Sequence, residues 1–337
     1  MKKAKNLLIV FILLLLCSGC GKSHANPTDD IIPDNKEEIK KVDIVNINSN
    51  KRPIAVMINN HKGARPQSGL ADAYLVYEIM VEGGITRMMA LYTDDFAEEK
   101  IGSVRSSRHN YLDYVLENDA IYVHWGGSNR AYQDLDKLNI DNIDGMIYGS
   151  TYFTTDKTLD RSLEHTRFTS STMIQNGISK LKFRTTTDNG YLLNYEVEDV
   201  DLSDNENAKQ ANKVTIKYSK YQTSSYEYNK EEGYYYRYMS DKAHTDLVTQ
   251  EHYKFKNIIA YSVKYNTLDS KGHQDLKNIG SGEGVFITNG YSVPIKWQKD
   301  SRSSKTKYMY MDGTEIDVSD GNTFIQIYPT DGNLTIS

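Results

Sequence analysis

Arginine, serine and histidine side chains cluster in two short stretches of the chain. The first is Arg105-Ser106-Ser107-Arg108-His109, and the second is His124-Trp125-Gly126-Gly127-Ser128. Each stands where an apolar run gives way to a helical pattern, so free backbone N–H groups and a positive helix end should meet there. Two guanidinium groups and two hydroxyls in such a place suit a phosphate or a carboxylate. The pattern therefore predicts an anion-binding site, but it indicates no reaction.

The elements that must position these residues are predicted as strand, helix, strand and helix. Ser106 or Ser107 is the predicted N-cap of the first helix, and Gly126-Gly127-Ser128 opens the second, from Asn129 to Lys137. Because sequential βα units usually lie side by side, we expect the two helix starts to be neighbours.

Three further segments supply candidate residues. Arg65 lies in a polar loop after an apolar strand, where a plain surface connection is the alternative. A hairpin is predicted around Glu82-Gly83-Gly84, and an ion pair between one of its glutamates and Arg87 is the alternative to ligand binding. The pair His165 and Arg167 precedes a helix that Thr169 or Ser170 should cap. The candidate ligand-binding residues are Arg65, Glu78, Glu82, Arg87, Arg105, Ser106, Ser107, Arg108, His124, His165 and Arg167.

Other chemistry finds little support in the sequence. There is no Ser-His-Asp order, no His-Glu-x-x-His spacing and no dinucleotide-binding glycine pattern, so we predict neither a metal site nor a cofactor. The net charge of −5 gives no reason to expect nucleic acid. Two alternatives stay open. Arg105 and Arg108 could form ion pairs with the glutamates or an aspartate, and Glu78 with Glu82 could form a glycosidase-like carboxylate pair.

The N-terminus has the pattern of an export signal. Lysines are followed by an apolar run too short to span a bilayer, which predicts a signal peptide over residues 1–20. Its end, Ser18-Gly19-Cys20, resembles the lipobox of bacterial lipoproteins, which implies lipidation at Cys20 with a palmitate-type anchor. Residues 21–50 are polar and poor in apolar side chains, so we expect a flexible tether.

The remaining chain fits two domains by length and pattern. Residues 51–200 predict an α/β or α+β domain with a mixed sheet and the ligand site. Residues 208–335 predict a mainly antiparallel β domain, because the turn pairs Asn289-Gly290 and Asp312-Gly313 separate alternating runs. An acidic and amide-rich stretch, 199–212, separates the two.

Several long motifs resemble one family, the YerB-like lipoproteins of Gram-positive bacteria. They are Arg52-Pro53-Ile54-Ala55-Val56-Met57-Ile58-Asn59-Asn60, Ala64-Arg65-Pro66-Gln67-Ser68-Gly69-Leu70, Glu82-Gly83-Gly84-Ile85-Thr86-Arg87 and Gly102-Ser103-Val104-Arg105-Ser106-Ser107-Arg108. The resemblance covers nearly everything after the tether. It implies an uncharacterised N-terminal domain followed by a characteristic C-terminal β domain, and no established reaction.

These features together predict a lipoprotein on the outer face of the cell membrane. Its expected role is to bind an anionic wall ligand, a lipid-linked ligand or a protein partner through an Arg- and His-rich cleft. The alternative is a cell-wall enzyme, phosphotransferase-like or hydrolase-like, acting on phosphorylated polymer or glycan with His124 or His165 as general acid or base. A third class is a structural scaffold that offers a sheet edge to a partner.

Overall fold

The computed structural model describes residues 41–337. The predicted signal peptide, Cys20 and most of the predicted tether lie outside the described residues. The strands of the first half are β1 (Ile54–Asn59), β2 (Leu75–Met80), β3 (Thr86–Tyr92), β4 (Ile101–Gly102), β5 (Ile121–His124), β6 (Asn142–Asp144), β7 (Thr154–Thr155), β8 (Arg167–Thr169) and β9 (Asn194–Glu196). The helices are α1 (His109–Glu117), α2 (Asn129–Lys137), α3 (Gly145–Tyr148) and α4 (Ser171–Leu181), with short 3₁₀ turns at Lys62–Ala64, Glu82–Gly84, Gly149–Thr151 and Leu163–His165.

Strands dominate the second half. They are β10 (Lys209–Gln210), β11 (Lys213–Lys217), β12 (Thr223–Asn229), β13 (Tyr234–Met239), β14 (Lys242–Ala243), β15 (Lys254–Phe255), β16 (Asn257–Val263), β17 (Tyr265–Thr267), β18 (Gln274–Leu276), β19 (Gly280–Thr288), β20 (Tyr291–Lys299), β21 (Lys307–Tyr310), β22 (Asp317–Ser319), β23 (Thr323–Pro329) and β24 (Asn333–Ile336).

One mixed sheet of eleven strands carries the fold. Ten of its strands have the order β10-β20-β19-β16-β23-β2-β3-β1-β5-β6. The eleventh strand, β21, also pairs with β20, in antiparallel orientation. Strands β2 and β23 pair in parallel, so the sheet is continuous between the first and the second half of the chain. A second sheet, β14-β13-β12-β11-β24 with β15 beside β13, is antiparallel. The predicted fold class, a mixed sheet followed by a mainly antiparallel β region, is confirmed.

The central strands are apolar on both faces because both faces are covered. All residues of β1 are buried, and successive side chains alternate between two cores. Ala55 and Met57 belong to the core that includes α1, whereas Val56 and Ile58 belong to the core that includes α4 and the second sheet. Packing between two cores fixes the position of β1, and the loop that carries Arg65 follows the end of this strand.

Helix starts agree with the prediction at two of three places. Ser128 caps α2 by accepting from the Ala131 N–H, and Ser170 caps α4 in the same way. The predicted cap of the first helix by Ser106 or Ser107 is wrong, because α1 begins later, with Arg108 at the N-cap position and no capping side chain. The reason is that Ser107 is held in extended backbone, where its N–H donates to the Gly126 carbonyl.

The folded body includes residues that the sequence assigned to the tether. Val45 is buried in the core, and the carboxylate of Asp320 accepts from the backbone N–H groups of Asp43 and Ile44. These contacts hold the start of the described chain against the last third. Within residues 41–337, no helix is both long and apolar enough to cross a membrane.

Candidate functional site

An open cleft of about 690 Å³ lies between the two halves of the chain. Its walls come from residues of four segments, 61–66, 83–85, 221–222 and 239–245, and its volume is typical of a small-ligand site. We call it the basic cleft, because Lys62, Arg65 and Lys242 line it, whereas none of the described residues that line it is acidic. The cleft therefore has the charge that an anion requires.

Arg65 is the cation most firmly fixed in the basic cleft. It is half-buried, and its guanidinium donates to three neutral acceptors, the carbonyl of Asn60 (2.8 Å), the side chain of Asn60 (3.3 Å) and the side-chain oxygen of Gln222 (3.1 Å). Burial and the charge of Arg237 lower the pKa of Arg65 to about 10, so the group is still charged at neutral pH. Within the described chain, no carboxylate lies in ion-pair distance of Arg65, which leaves its charge available to a ligand.

A fully buried ion pair lies behind the cleft wall. The Arg237 Nη2 donates to Glu78 Oε2 at 2.7 Å, and neither side chain has measurable exposure. Asn60, which also binds Arg65, donates to Glu78 Oε1 at 2.9 Å, and Thr86 donates to the same oxygen at 2.6 Å. Burial opposes ionisation of Glu78, but the charge of Arg237 and the hydrogen bonds outweigh it and hold its pKa below the ordinary value. Glu78 thus orients Arg65 through Asn60 from the interior, without reaching the cleft.

The network continues from the arginine to a buried histidine. His244 Nδ1 accepts from Arg237, and its Nε2–H donates to Gln67 at 2.6 Å. Burial, together with the charge of Arg237, keeps the pKa of His244 well below its ordinary value, so the ring is neutral. Gln67 in turn donates to the side-chain oxygen of Asn60 at 3.2 Å. The loop that carries Arg65 is therefore fixed to β13 by a closed set of hydrogen bonds.

Glu82 forms ion pairs with two of the predicted arginines, Arg87 and Arg108. Arg87 Nη2 donates to Glu82 Oε1 at 2.8 Å, and Arg108 Nε donates to Glu82 Oε2 at 2.9 Å. Burial alone would raise the pKa of Glu82, but Arg108 and Arg87 outweigh it and lower the pKa to about 2. Burial, with the charge of Arg108, lowers the pKa of Arg87 to about 9. Because Glu82 and Glu78 both favour the ionised form, neither suits the proton donor of a glycosidase.

Arg105 and His165 both contact Glu164, next to His61 of the basic cleft. Arg105 donates to Glu164 at 2.6 Å, and His165 Nε2 lies 3.6 Å from the second oxygen of Glu164. The ring of His165 stacks on that of His61, with centroids 5.0 Å apart. Burial lowers the pKa of both histidines, and Glu164 partly offsets the effect. Asn59 donates to His165 Nδ1 at 2.8 Å, which fixes the neutral ring with its proton towards Glu164.

The two predicted helix starts are neighbours, as expected. The Trp125 N–H donates to the Arg105 carbonyl, and Ser107 pairs with Gly127. The histidine of this region does not face solvent, however. His124 is fully buried, with its Nδ1–H on the Gly126 carbonyl at 2.8 Å and its other nitrogen 3.2 Å from Asn142. Burial lowers its pKa, although Asp144 opposes the shift. A contact of His124 with a ligand would require local opening.

The remaining candidates are Ser106, Ser107 and Arg167, and each contacts other residues of the first half of the chain. The carbonyl of Ser106 accepts from Arg87, and the Ser107 hydroxyl is buried. Arg167 lies over the ring of Trp125, with its guanidinium carbon 4.4 Å from the ring centroid. Of the predicted residues, Arg65 alone lines the basic cleft itself. Arg105 and Arg167 line a separate depression, and the ligand-binding role of every predicted residue stays a prediction.

The sequence analysis did not identify the cleft residues that come from the second half of the chain, in segments 221–222 and 239–245. Tyr221, Gln222, Lys242 and His244 carry no motif, and each reaches the cleft only because β2 and β23 bring the halves together. Arg237 did have a signal, since it is the only charged residue in the strand Tyr-Tyr-Tyr-Arg-Tyr-Met and shares its buried positions. A cation on the inward face of a strand requires a buried partner.

The chain matches two family models, one in each half. Residues 43–184 match the model described as "Protein of unknown function (DUF3048) N-terminal domain", and residues 214–325 match the corresponding C-terminal domain. The chain belongs to the DUF3048 family. The two DUF3048 matches cover both walls of the basic cleft, so the cleft lies within the part of the chain that defines the family.

A named relative and its crystal structure agree with this assignment. The chain is 28% identical over 335 residues to the protein named "Putative lipoprotein YerB" of Bacillus subtilis (strain 168), with 96% of this chain and 93% of the relative covered. The crystal structure of the YerB protein from Bacillus subtilis superposes with a TM-score of 0.73 at 26% identity, covering 85% of this chain and 94% of that one. The predicted resemblance to YerB-like lipoproteins is confirmed.

Proposed function

We propose that this protein is a lipoprotein anchored by lipid to the outer face of the cell membrane, with Cys20 as the lipidated residue, and that it binds an anionic envelope ligand in the basic cleft. Support for the anchor comes from the Ser18-Gly19-Cys20 sequence and from a relative that is named a lipoprotein. Metabolic labelling with a fatty acid tests it. Label should enter the wild-type protein and not Cys20→Ala, and equal labelling of both would refute the anchor.

The observation that carries the ligand proposal is the environment of Arg65. A half-buried guanidinium faces a cleft without acidic lining, and its hydrogen bonds go to neutral acceptors. Phosphate and carboxylate are the groups whose geometry matches a guanidinium fork. Lys62 and Lys242 lie on opposite walls and add charge without fixed geometry. The apolar walls, such as Ile85 and Met239, suit the uncharged part of the same ligand.

Titration calorimetry with glycerol 3-phosphate tests this proposal, with glycerol as the neutral comparison. We expect the wild-type protein to bind the phosphate compound and not glycerol, with affinity that falls as salt rises. Arg65→Gln should weaken binding roughly tenfold or more, because a charge-assisted hydrogen bond contributes about 1.5–3 kcal/mol. Lys230→Gln makes the same change of charge at an exposed turn outside the cleft and should bind as wild type does.

A second variant separates binding from folding. Arg65→Lys keeps the charge but loses the fork, so we expect an intermediate affinity at an unchanged melting temperature. Equal affinity of Arg65→Gln and wild type, or equal binding of glycerol, would refute the proposal. The enzyme alternative requires His124 or His165 as general acid or base. His124 is fully buried, and its ring nitrogens lie 2.8 Å from the Gly126 carbonyl and 3.2 Å from Asn142, so His165 is the remaining candidate for that role.

A further inference from the structure

A second depression, of about 440 Å³, adjoins the basic cleft. Its lining is Val104, Arg105, Trp125, Leu163, Glu164 and Arg167, and we call it the tryptophan depression. Arg167 stacks on Trp125, and Leu163 exposes 60% of its side chain. An arginine on an aromatic ring beside an exposed leucine offers both charge and apolar surface. This combination recognises an anionic group attached to a less polar unit.

The stacked pair of His61 and His165 joins the two sites. His61 lines the basic cleft, and His165 lies on it with an interplanar angle of 17°. His165 in turn contacts Glu164, which lines the tryptophan depression. The lining of the basic cleft is thus linked to that of the tryptophan depression through three residues in contact, His61, His165 and Glu164. One extended molecule that follows these residues would reach both sites.

The described charged residues that line the two sites are positive, with one exception, the carboxylate of Glu164. Lys62, Arg65 and Lys242 line the first site, and Arg105 and Arg167 line the second. Glu164 is the only acidic residue among the described side chains that line either one. We infer that the ligand is a linear polymer with repeated phosphate groups, one group held at Arg65 and a further group at Arg105 and Arg167. This inference rests on the proposed function and specifies its ligand.

Glu164 acts in this arrangement as an internal competitor. It is half exposed and pairs with Arg105 at 2.6 Å, so a ligand phosphate at the same place must displace it. An exposed ion pair of this kind contributes little to stability. Replacing the Glu164 carboxylate by a ligand phosphate at Arg105 therefore costs little free energy. The consequence is specific: removing the carboxylate should strengthen binding of a long anion and leave a short one nearly unaffected.

The two probes are long-chain linear polyphosphate and orthophosphate, which is the single unit. Linked groups that occupy two subsites bind more tightly than one group, because the second contact is made at high effective concentration. We expect long-chain polyphosphate to bind wild type roughly a hundredfold more tightly per chain than orthophosphate. Arg167→Gln should remove most of this gain and leave orthophosphate affinity unchanged. Glu164→Gln should increase long-chain affinity several-fold, whereas the same change at exposed Glu206 should have a smaller effect.

Tryptophan fluorescence reports occupancy of the second site directly. The chain has two tryptophans, and the other one, Trp297, is only 4% exposed. In a Trp297→Phe background, long-chain polyphosphate should change the emission of Trp125, whereas orthophosphate should not. If both probes bind but long chains give no gain over orthophosphate and no Trp125 signal, the polymer inference is refuted while the proposed function stands. If neither probe binds, both are refuted.

Discussion

The pair of Glu78 and Arg237 is a fully buried ion pair between the two halves of the chain, and it should contribute strongly to their association. It joins β2 to β13, and both side chains are fully enclosed. Removing one partner of such a pair leaves an uncompensated charge in the interior, which costs about 3–5 kcal/mol. A typical domain is stable by only about 5–15 kcal/mol, so either single change should remove a large fraction of the free energy of unfolding.

A double-mutant cycle measures this coupling. Glu78→Gln leaves Arg237 charged and unpaired, Arg237→Met leaves Glu78 charged and unpaired, and the double variant has neither charge. We expect an interaction energy of about 2–3 kcal/mol from urea denaturation followed by circular dichroism. The exposed pair of Lys213 and Glu227, at 2.9 Å, is the matched control and should give at most about 1 kcal/mol. A buried coupling no larger than that of the control would refute the reasoning.

Two further predictions concern charge and capping. Glu82 has an ordinary pKa of 4.5 and a pKa of about 2 in the folded protein, so its contribution to stability is complete above pH 4.5 and is lost as the pH falls towards 2. The difference in urea midpoint between wild type and Glu82→Gln should shrink over that interval. A constant difference would contradict the pKa assignment. Ser170→Ala should lower the free energy of unfolding by about 1 kcal/mol through loss of the α4 cap, and Ser106→Ala should leave it nearly unchanged. Equal effects of the two serine changes would show that capping is not the cause.

Local patterns predicted local structure well. Three features follow from interactions between near neighbours: the apolar run 54–58 of β1, the two-residue Asn289-Gly290 turn between β19 and β20, and the caps Ser128 and Ser170. The hairpin around Glu82-Gly83-Gly84 is confirmed for the same reason, with β2 and β3 antiparallel. Such features depend on the local backbone conformation and on the spacing of apolar residues, and a short stretch of sequence determines both.

The composition of the cleft could not be predicted in this way. Arg237 lies 159 residues after Glu78, and Lys242 reaches the cleft only through the position of β14 in the second sheet. His124 has the sequence context of a site residue, but its strand lies between β1 and β6, and its ring is enclosed by Gly126 and Asn142. Pairing between distant strands decides which side chains meet, and a single sequence contains no local signal for it.

The most direct test of the account is the position of a bound anion in crystals of the protein. Crystals soaked with tungstate, a heavy analogue of phosphate, should give an anomalous difference peak in the basic cleft within hydrogen-bond distance of the Arg65 guanidinium. Arg65→Gln crystals soaked in the same way should lose that peak. A peak that persists in Arg65→Gln, or tungstate bound only at sites outside the basic cleft, would contradict the assignment of this cleft as the anion site.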